Sequence, residues 1–281
     1  MMMKKVRLDV LLTERGLAES RAKAQALIMA GQVRVDGQVA LKPATAIDSK
    51  SALEVDTGPR FVSRGGEKLD AALEAFAIDV RDRICADVGA STGGFTDCML
   101  QRGAAKVYAM DVGKGILHWK LRMHPRVAVM EETNARYVES LPEQVSFVTI
   151  DASFISLKIL LPVVKKWFLP SPLRPSPREA PPKGAGRRDG GEGDIIALIK
   201  PQFEAGKKDV ARGDGVIRDP LIHRQVLLDI LSFAQENGFH IRDLVKSPLL
   251  GPKGNAEFLV LLDMQTETSA DIPALVEKVL A

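Results

Sequence analysis

The sequence predicts an α/β protein: a seven-stranded, mostly parallel sheet covered by helices on both faces, preceded by a small α+β domain. Three observations carry that expectation. After residue 58, apolar strand-like runs alternate with helix-period stretches, the pattern of a sheet buried on both sides. Residues 1–58 lack this alternation and read as two short helices and a hairpin. Between the two, "GPRFVS" reads as a connector. The expected domains are residues 1–58 and 64–281, with a linker over 59–63.

In the N-terminal domain, Leu8, Leu11 and Leu12 share one helical face that ends at Gly16. Ser20 is placed to cap a second helix, which turns Ala24, Leu27 and Ile28 inward before Gly31. "VRVDGQV" alternates around Asp36-Gly37, a two-residue hairpin signal. Residues 1–52 hold nine Lys/Arg against five Asp/Glu, although the whole chain carries a net charge of only +3. Positive charge concentrated on a small domain points to a polyanion. Arg7, Arg15, Arg21, Lys23, Arg34 and Lys42 are candidate phosphate contacts. The stretch "RLDVLLTERGLAESRAKAQALIMAGQVRVDGQV" resembles the αL RNA-binding motif of a small-subunit ribosomal protein, pseudouridine synthases and tyrosyl-tRNA synthetases. The resemblance implies structured RNA as the partner, faced by Arg21, Lys23 and Arg34.

In the larger domain, strands are expected in "ICADVG", "KVYAMDVG", "VAVMEE", "VSFVTIDAS", "DIIALIKPQF", "FHIRDLV" and "EFLVLLDM". Helices are expected around 66–77, 94–102, 155–168, 220–237 and 271–280. No helix separates the last two strands, so they are expected to form an antiparallel pair at one edge. Such a sheet resembles the Rossmann-like methyltransferase fold more than a dinucleotide dehydrogenase. Residues 170–194 are rich in Pro, Gly and charge, and read as a disordered insertion because they offer too little apolar surface to offset ordering.

Composition excludes several classes. Cys85 and Cys98 give no disulfide framework, which favours a reducing cytoplasm and packing roles for both thiols. Four scattered histidines offer no zinc-ligand spacing, so no metal is expected. The most lipid-like stretch, "ISLKILLPVVKKWFL", is broken by Lys158, Pro162, Lys165 and Lys166, short of the roughly 18 apolar residues that a spanning helix needs. No signal-peptide core is seen, and no membrane association or obligate protein partner is expected.

The central motif is "DVGASTGGFTD". It is an imperfect dinucleotide fingerprint, with Ser91 where the middle glycine would stand. A pyrophosphate at the helix start would be repelled by Asp87 at the strand end. Asp111, ending the next strand, is placed to accept both hydroxyls of a ribose. S-adenosylmethionine has a ribose, an ammonium and a sulfonium but no phosphate, so the two acids favour it over NAD. The expected cofactor-binding set is Asp87, Gly89, Ala90, Ser91, Gly93, Gly94, Phe95, Asp111, Val112, Asn134, Asp151 and Phe154.

After the fourth strand stands "DASF" (151–154), without the prolines typical of amine methylation, and neither cysteine sits in a strand-end loop to act as a nucleophile. A hydroxyl acceptor needs a base and an orienting acid, and Lys68, Asp151, Lys200 and Glu257 fit that need. Ligands of open α/β sheets bind at the edge where three of these four residues fall. The Lys-Asp-Lys-Glu order, with "DVGASTGGFTD", "SFISLK" and "KPQFE", resembles the FtsJ-like ribose 2′-O-methyltransferases. With the αL domain in front, the chain resembles the TlyA family, whose members methylate cytidine 2′-hydroxyls of ribosomal RNA. Some of that family carry a haemolysin label. The resemblance implies that Lys200 takes or orients the hydroxyl proton beside the cation of Lys68, with Asp151 and Glu257 fixing the ammonium groups. Arg64 joins the cations expected to meet RNA. Residues 204–215, "EAGKKDVARGDG", read as a mobile lid. The competing readings are a non-catalytic RNA-binding or assembly factor and a membrane-active protein.

Overall fold

The computed structural model describes residues 5–56, 58–168, 193–206, 215–264 and 270–281. Only Gly193 and Asp194 of the expected insertion are included, and only residues 204–206 and 215 of the expected lid. The chain divides into two compact units, Met1–Arg60 and Phe61–Ala281.

The first unit runs β1 (Lys5–Arg7), α1 (Leu8–Glu14), α2 (Arg21–Met29), β2 (Val33–Val35), β3 (Gln38–Ala40), β4 (Ala46–Asp48) and β5 (Leu53–Val55). Strand β1 pairs antiparallel with β4, and β2 lies between β3 and β5. Strands β1, β4 and β5 were not expected, because three residues are too few to display alternation. The expected caps form. Ser20 Oγ accepts from Lys23 N at 3.2 Å, and Asp36 and Gly37 both take positive φ in the hairpin. Leu8, Leu12, Ala24, Ile28 and Val33 close a small apolar core.

Beside that core lies a fully buried acid. Asp9 accepts from Arg7 (2.9 and 3.0 Å), Arg21 (3.0 Å) and Gln25 (2.8 Å). The Arg7 guanidinium, with help from Gln25 and Arg21, holds the Asp9 carboxyl far below the usual carboxylate range, against the cost of burial. A carboxylate with a depressed folded pKa adds stability that is present above its unfolded pKa, ~3.9, and lost as pH falls below it. The first unit is therefore expected to lose thermal stability between pH 5 and pH 2, measured by circular dichroism, and Asp9→Asn should flatten that dependence. An equally steep profile in the variant would exclude Asp9 as its origin.

The second unit contains α3 (Gly65–Ala75), β6 (Ile84–Val88), α4 (Gly94–Gln101), β7 (Lys106–Met110), α5 (Trp119–Arg122), β8 (Val127–Met130), β9 (Phe147–Ile150) and α6 (Leu157–Val164). It continues with β10 (Asp194–Ile199), α7 (Pro201–Glu204), α8 (Pro220–Glu236), β11 (His240–Lys246), β12 (Phe258–Asp263) and α9 (Ile272–Leu280). The sheet order is β11-β12-β10-β9-β6-β7-β8. The neighbours from β8 to β10 run parallel, while β12 is antiparallel to both β10 and β11. The last two strands thus pair as expected, but only β11 forms the edge. Every residue of β12, "FLVLLD", is buried, whereas β11, "HIRDLVK", buries only Ile241 and Leu244, on either side of a register shift between Ile241 and Asp243.

Side chains alternate across the sheet into two cores. Cys85 and Val107 pack with α3 and α4 on one face. Ala86, Val88, Val148 and Ile150 pack with α6, α8 and α9 on the other. Two sequence expectations are corrected. The end of the expected linker is part of this unit: Phe61 is 3% exposed, and Val62 N donates to Asp97 Oδ2 at 2.9 Å. The expected strand through Phe203 stops at Ile199, because Pro201 lacks a ladder donor and opens the single turn of α7.

Candidate active site

Five parallel strands, β6 to β10, end at one rim, and the turns that leave them build the site. Gly89 follows β6 with φ +83°, and an added Cβ there would lie 2.6 Å from the Asp151 carbonyl oxygen. The glycine is needed because the turn after β6 rides directly on the turn after β9. Gly94, opening α4, meets Gly65 and Gly66 of α3 with no space for a side chain. Two cavities share Gly89, Ser91, Asp151 and Ser153. One, of about 290 Å³, is lined largely by apolar groups and by Asp111 and Asn134. The other, of about 380 Å³, is polar and receives Lys68, Lys200, Asp151 and Glu257.

The four polar residues resolve into two ion pairs. Lys68 Nζ donates to Glu257 Oε2 at 2.5 Å, with the glutamate side chain fully buried. Lys200 Nζ stands 2.6 Å from Asp151 Oδ1 and donates to Ser153 Oγ at 3.0 Å. Sheet register explains the assembly. Ile199 pairs with Phe258 across β10 and β12, so the next residues outward, Lys200 and Glu257, reach the same cavity. The second oxygen, Glu257 Oε1, is buried without a protein partner, an acceptor free for a ligand donor.

Asp111 lines the apolar cavity, and its carboxylate also laces the turns together. Oδ2 accepts from Ser91 N and Oδ1 from Gly113 N, both at 2.8 Å. The acid therefore already occupies one amide of the glycine turn, that of Ser91.

Most of the expected cofactor set lines the two cavities: Gly89, Ala90, Ser91, Gly94, Phe95 and Asp151 on one side, with Asp111, Val112, Asn134 and Phe154 on the other. Two members do not. Asp87 is fully buried under the glycine turn, accepting from Thr96 Oγ1 (2.6 Å) and Thr149 Oγ1 (3.0 Å). Burial pushes its carboxyl up to about 7, so it is not the standing charge that was expected to attract a cation. Gly93, at φ +99°, faces Leu117 and Leu121, which would lie 2.9 and 2.1 Å from an added Cβ. It makes room for packing.

Of the expected RNA contacts, Arg64 lines the polar cavity. Arg7, Arg21, Lys23, Arg34 and Lys42 are exposed on the first unit, although Arg7 and Arg21 are oriented by Asp9. Arg15 is spent on the carbonyls of Ser49 and Ser51.

The sequence reading missed three residues. Ser153 anchors Lys200. Glu204 of α7 accepts from Ser156 Oγ at 2.6 Å and Leu157 N at 2.8 Å, tying the turn after β10 to the one after β9. Gly251 gives way to Glu257, whose Oε1 would lie 2.0 Å from an added Cβ. Ser153 and Glu204 left a signal, inside "DASF" and at the close of "KPQFE".

Because the Gly89 turn and the Asp151 turn are in backbone contact, Gly89→Ala is expected to spread both cavities. L-residues pay ~1–2 kcal/mol for left-handed backbone alone, and here the carbonyl adds a clash. Calorimetry should show S-adenosylmethionine affinity reduced by roughly an order of magnitude or more, the ~1.4 kcal/mol scale. Unchanged affinity in a folded variant would reject this placement.

A family model described as FtsJ-like methyltransferase matches residues 61–264. The chain belongs to that family. The first unit of this FtsJ-like methyltransferase is an S4 domain, matched over residues 6–51. The FtsJ-like chain is 45% identical to the 16S/23S rRNA (cytidine-2′-O)-methyltransferase TlyA of Mycobacterium tuberculosis, covering 99% of this chain and 97% of the relative. It is 38% identical to Hemolysin A of Brachyspira hyodysenteriae, covering 90% and 98%. A solved structure of a hemolysin-labelled protein from Streptococcus thermophilus superposes with a TM-score of 0.67 at 41% identity, covering 99% and 95%. Among the described residues of this FtsJ-like protein, no helix is long and apolar enough to cross a membrane.

Proposed function

We propose that this protein methylates a ribose 2′-hydroxyl of ribosomal RNA, a cytidine in one or both subunits, using S-adenosylmethionine in the cytoplasm. The observation that carries the reading is the convergence of two lysine–carboxylate pairs on a polar cavity that adjoins an apolar, acid-marked one. Cavities of about 300 Å³ or more are the usual size for small ligands. The donor set fits this cofactor: Asp111 keeps acceptor capacity for ribose hydroxyls, and Asn134 and Phe154 flank the apolar cavity. S-adenosylmethionine, when bound, supplies a methyl group on a positively charged sulfur.

The remaining chemistry belongs to the chain. Lys200 donates to Ser153 Oγ and stands in ion-pair contact with Asp151, with its remaining ammonium hydrogens toward the cavity where the acceptor oxygen enters. Lys200 Nζ passes a proton to the Asp151 carboxylate and takes the 2′-hydroxyl proton in its place, so the oxygen is negative as it attacks. Such positioned proton transfer contributes typically about 10²–10⁴-fold. Lys68 carries a second positive charge beside the forming anion, and Glu257 fixes its direction. Alignment of the two reactants in one cleft supplies much of the rest. The S4 domain brings RNA through its exposed cations, with ribosomal subunits as the substrate particles. A non-catalytic RNA-binding factor would have no use for Glu257, a buried acid with an unpartnered oxygen facing a cleft.

The test compares the full chain with residues 61–281 on purified rRNA and subunits, mapping 2′-O-methyl groups by mass spectrometry. The full chain is expected to modify a single ribose per target. The shorter chain should bind S-adenosylmethionine equally and lose at least about tenfold in methylation at limiting RNA, the ~1.4 kcal/mol scale of one or two lost contacts. Full-chain protein that binds cofactor and transfers no methyl to either subunit would reject the reading.

A further inference from the structure

We infer that the loop and helix from Val112 to Arg126 form a second RNA-docking surface, on the catalytic unit itself, with Trp119 as its stacking platform and Lys120 as its phosphate contact. This rests on RNA being the substrate. The stretch "VGKGILHWKLRMHPR" contains four Lys/Arg and two histidines. Lys114 and Arg122 are paired with Glu132 and Glu131, and Arg126 donates to backbone carbonyls, which leaves Lys120 as the cation offered to a polyanion. Its inward residues are ordinary core. Leu117 and Leu121 are 5% and 3% exposed and fill the space left by Gly93. Its outward residues are not: Trp119 is 69% and Met123 77% exposed, one turn apart on α5. The His118 ring stacks on Trp119 at 6.0 Å, with 29° between the planes.

Position gives this surface its purpose. His118 N donates to Thr92 O at 3.1 Å, and Thr92 lines the polar cavity. The aromatic pair therefore stands beside the cleft where the acceptor ribose must enter. The loop is also fixed in place. Glu131 accepts from Gly115 N at 2.9 Å, Leu117 N at 3.3 Å and Arg122 Nη2 at 2.5 Å. Lys114 meets Glu132 at the exposed rim, at 3.0 Å. Lys120 is exposed and pairs with no carboxylate among the described residues. A rigid, exposed indole flanked by a free ammonium matches an unpaired base and its phosphate, and stacking tolerates any base. The occupant is the single-stranded RNA flanking the target ribose. An apolar partner protein or a second copy of the chain would leave the exposed ammonium of Lys120 beside the indole unexplained.

The test uses the full chain with Trp119→Ala, Trp119→Phe and Lys120→Ala, measuring rRNA affinity against salt, cofactor affinity and mass in solution. Trp119→Ala is expected to weaken RNA binding about tenfold, the scale of one lost base stack. Trp119→Phe should restore most of that loss. Lys120→Ala should lower the salt slope by about one. Cofactor affinity should be unchanged in all three, since neither side chain lines a cavity, and the mass should be that of wild type. Unchanged RNA affinity and slope would overturn the surface, as would a change of mass in Trp119→Ala, which would make the patch a contact between copies. Wild-type protein that binds cofactor and no RNA would instead overturn the methyltransferase reading, and the surface with it.

Discussion

Lys200→Arg is expected to lower the single-turnover methylation rate by about 10²–10⁴-fold at saturating RNA, nearly as much as Lys200→Ala. Arginine stays protonated at working pH, and its planar fork does not reproduce an ammonium held between Asp151 Oδ1 and Ser153 Oγ. Cofactor affinity should change little, because Asp111 and Asn134 line the apolar cavity and Lys200 does not. The loss then belongs to the chemical step. Were Lys200 only a charge that steers RNA, arginine would keep most of the rate, and added RNA would rescue the alanine variant. Either result would exclude the proton-handling role and leave the cofactor site standing.

Glu257→Leu is expected to inactivate the protein and to destabilise it. The change leaves the Lys68 ammonium without its partner at 2.5 Å, in a side chain only 11% exposed. Breaking a buried pair from one side costs about 3–5 kcal/mol, which for a unit of this size is roughly 6–20 °C in Tm. Replacing both partners, Lys68→Met with Glu257→Leu, should recover most of the stability, because no buried charge is stranded. That double variant should remain inactive. Its recovery of stability without activity, read by calorimetry beside a methylation assay, separates a working pair from a merely structural one. Recovery of both would show that the chemistry does not need these two groups.

What the sequence determined by itself is everything encoded in local spacing. The seven strands, the Ser20 cap, the Asp36-Gly37 hairpin and the glycine turn before α4 are short-range patterns, and each formed as its residues dictate. Lys68, Asp151, Lys200 and Glu257 were legible as a set because strand ends in an open α/β sheet share one rim. The tertiary structure alone decided which acid faces which lysine. Lys68 and Glu257 lie 189 positions apart and meet only because α3 packs on the face of the sheet that carries Leu259 and Leu261, while the β10–β12 register sets Glu257 beside Lys200. It also decided that β12 is interior and β11 the edge. Asp87, placed like a ligand-facing acid in the sequence, is locked under Thr96 and Thr149 with its carboxyl pushed up by burial to about 7, since burial depends on what the rest of the chain stacks above it. Trp119 was invisible as a surface feature for the converse reason: "ILHWKL" reads like core. Only the packing of Leu117 and Leu121 beneath Gly93 turns the indole outward. Sequence spacing names the elements and the residues at their ends; long-range packing sets which of those side chains meet, which lose their charge and which are left facing solvent.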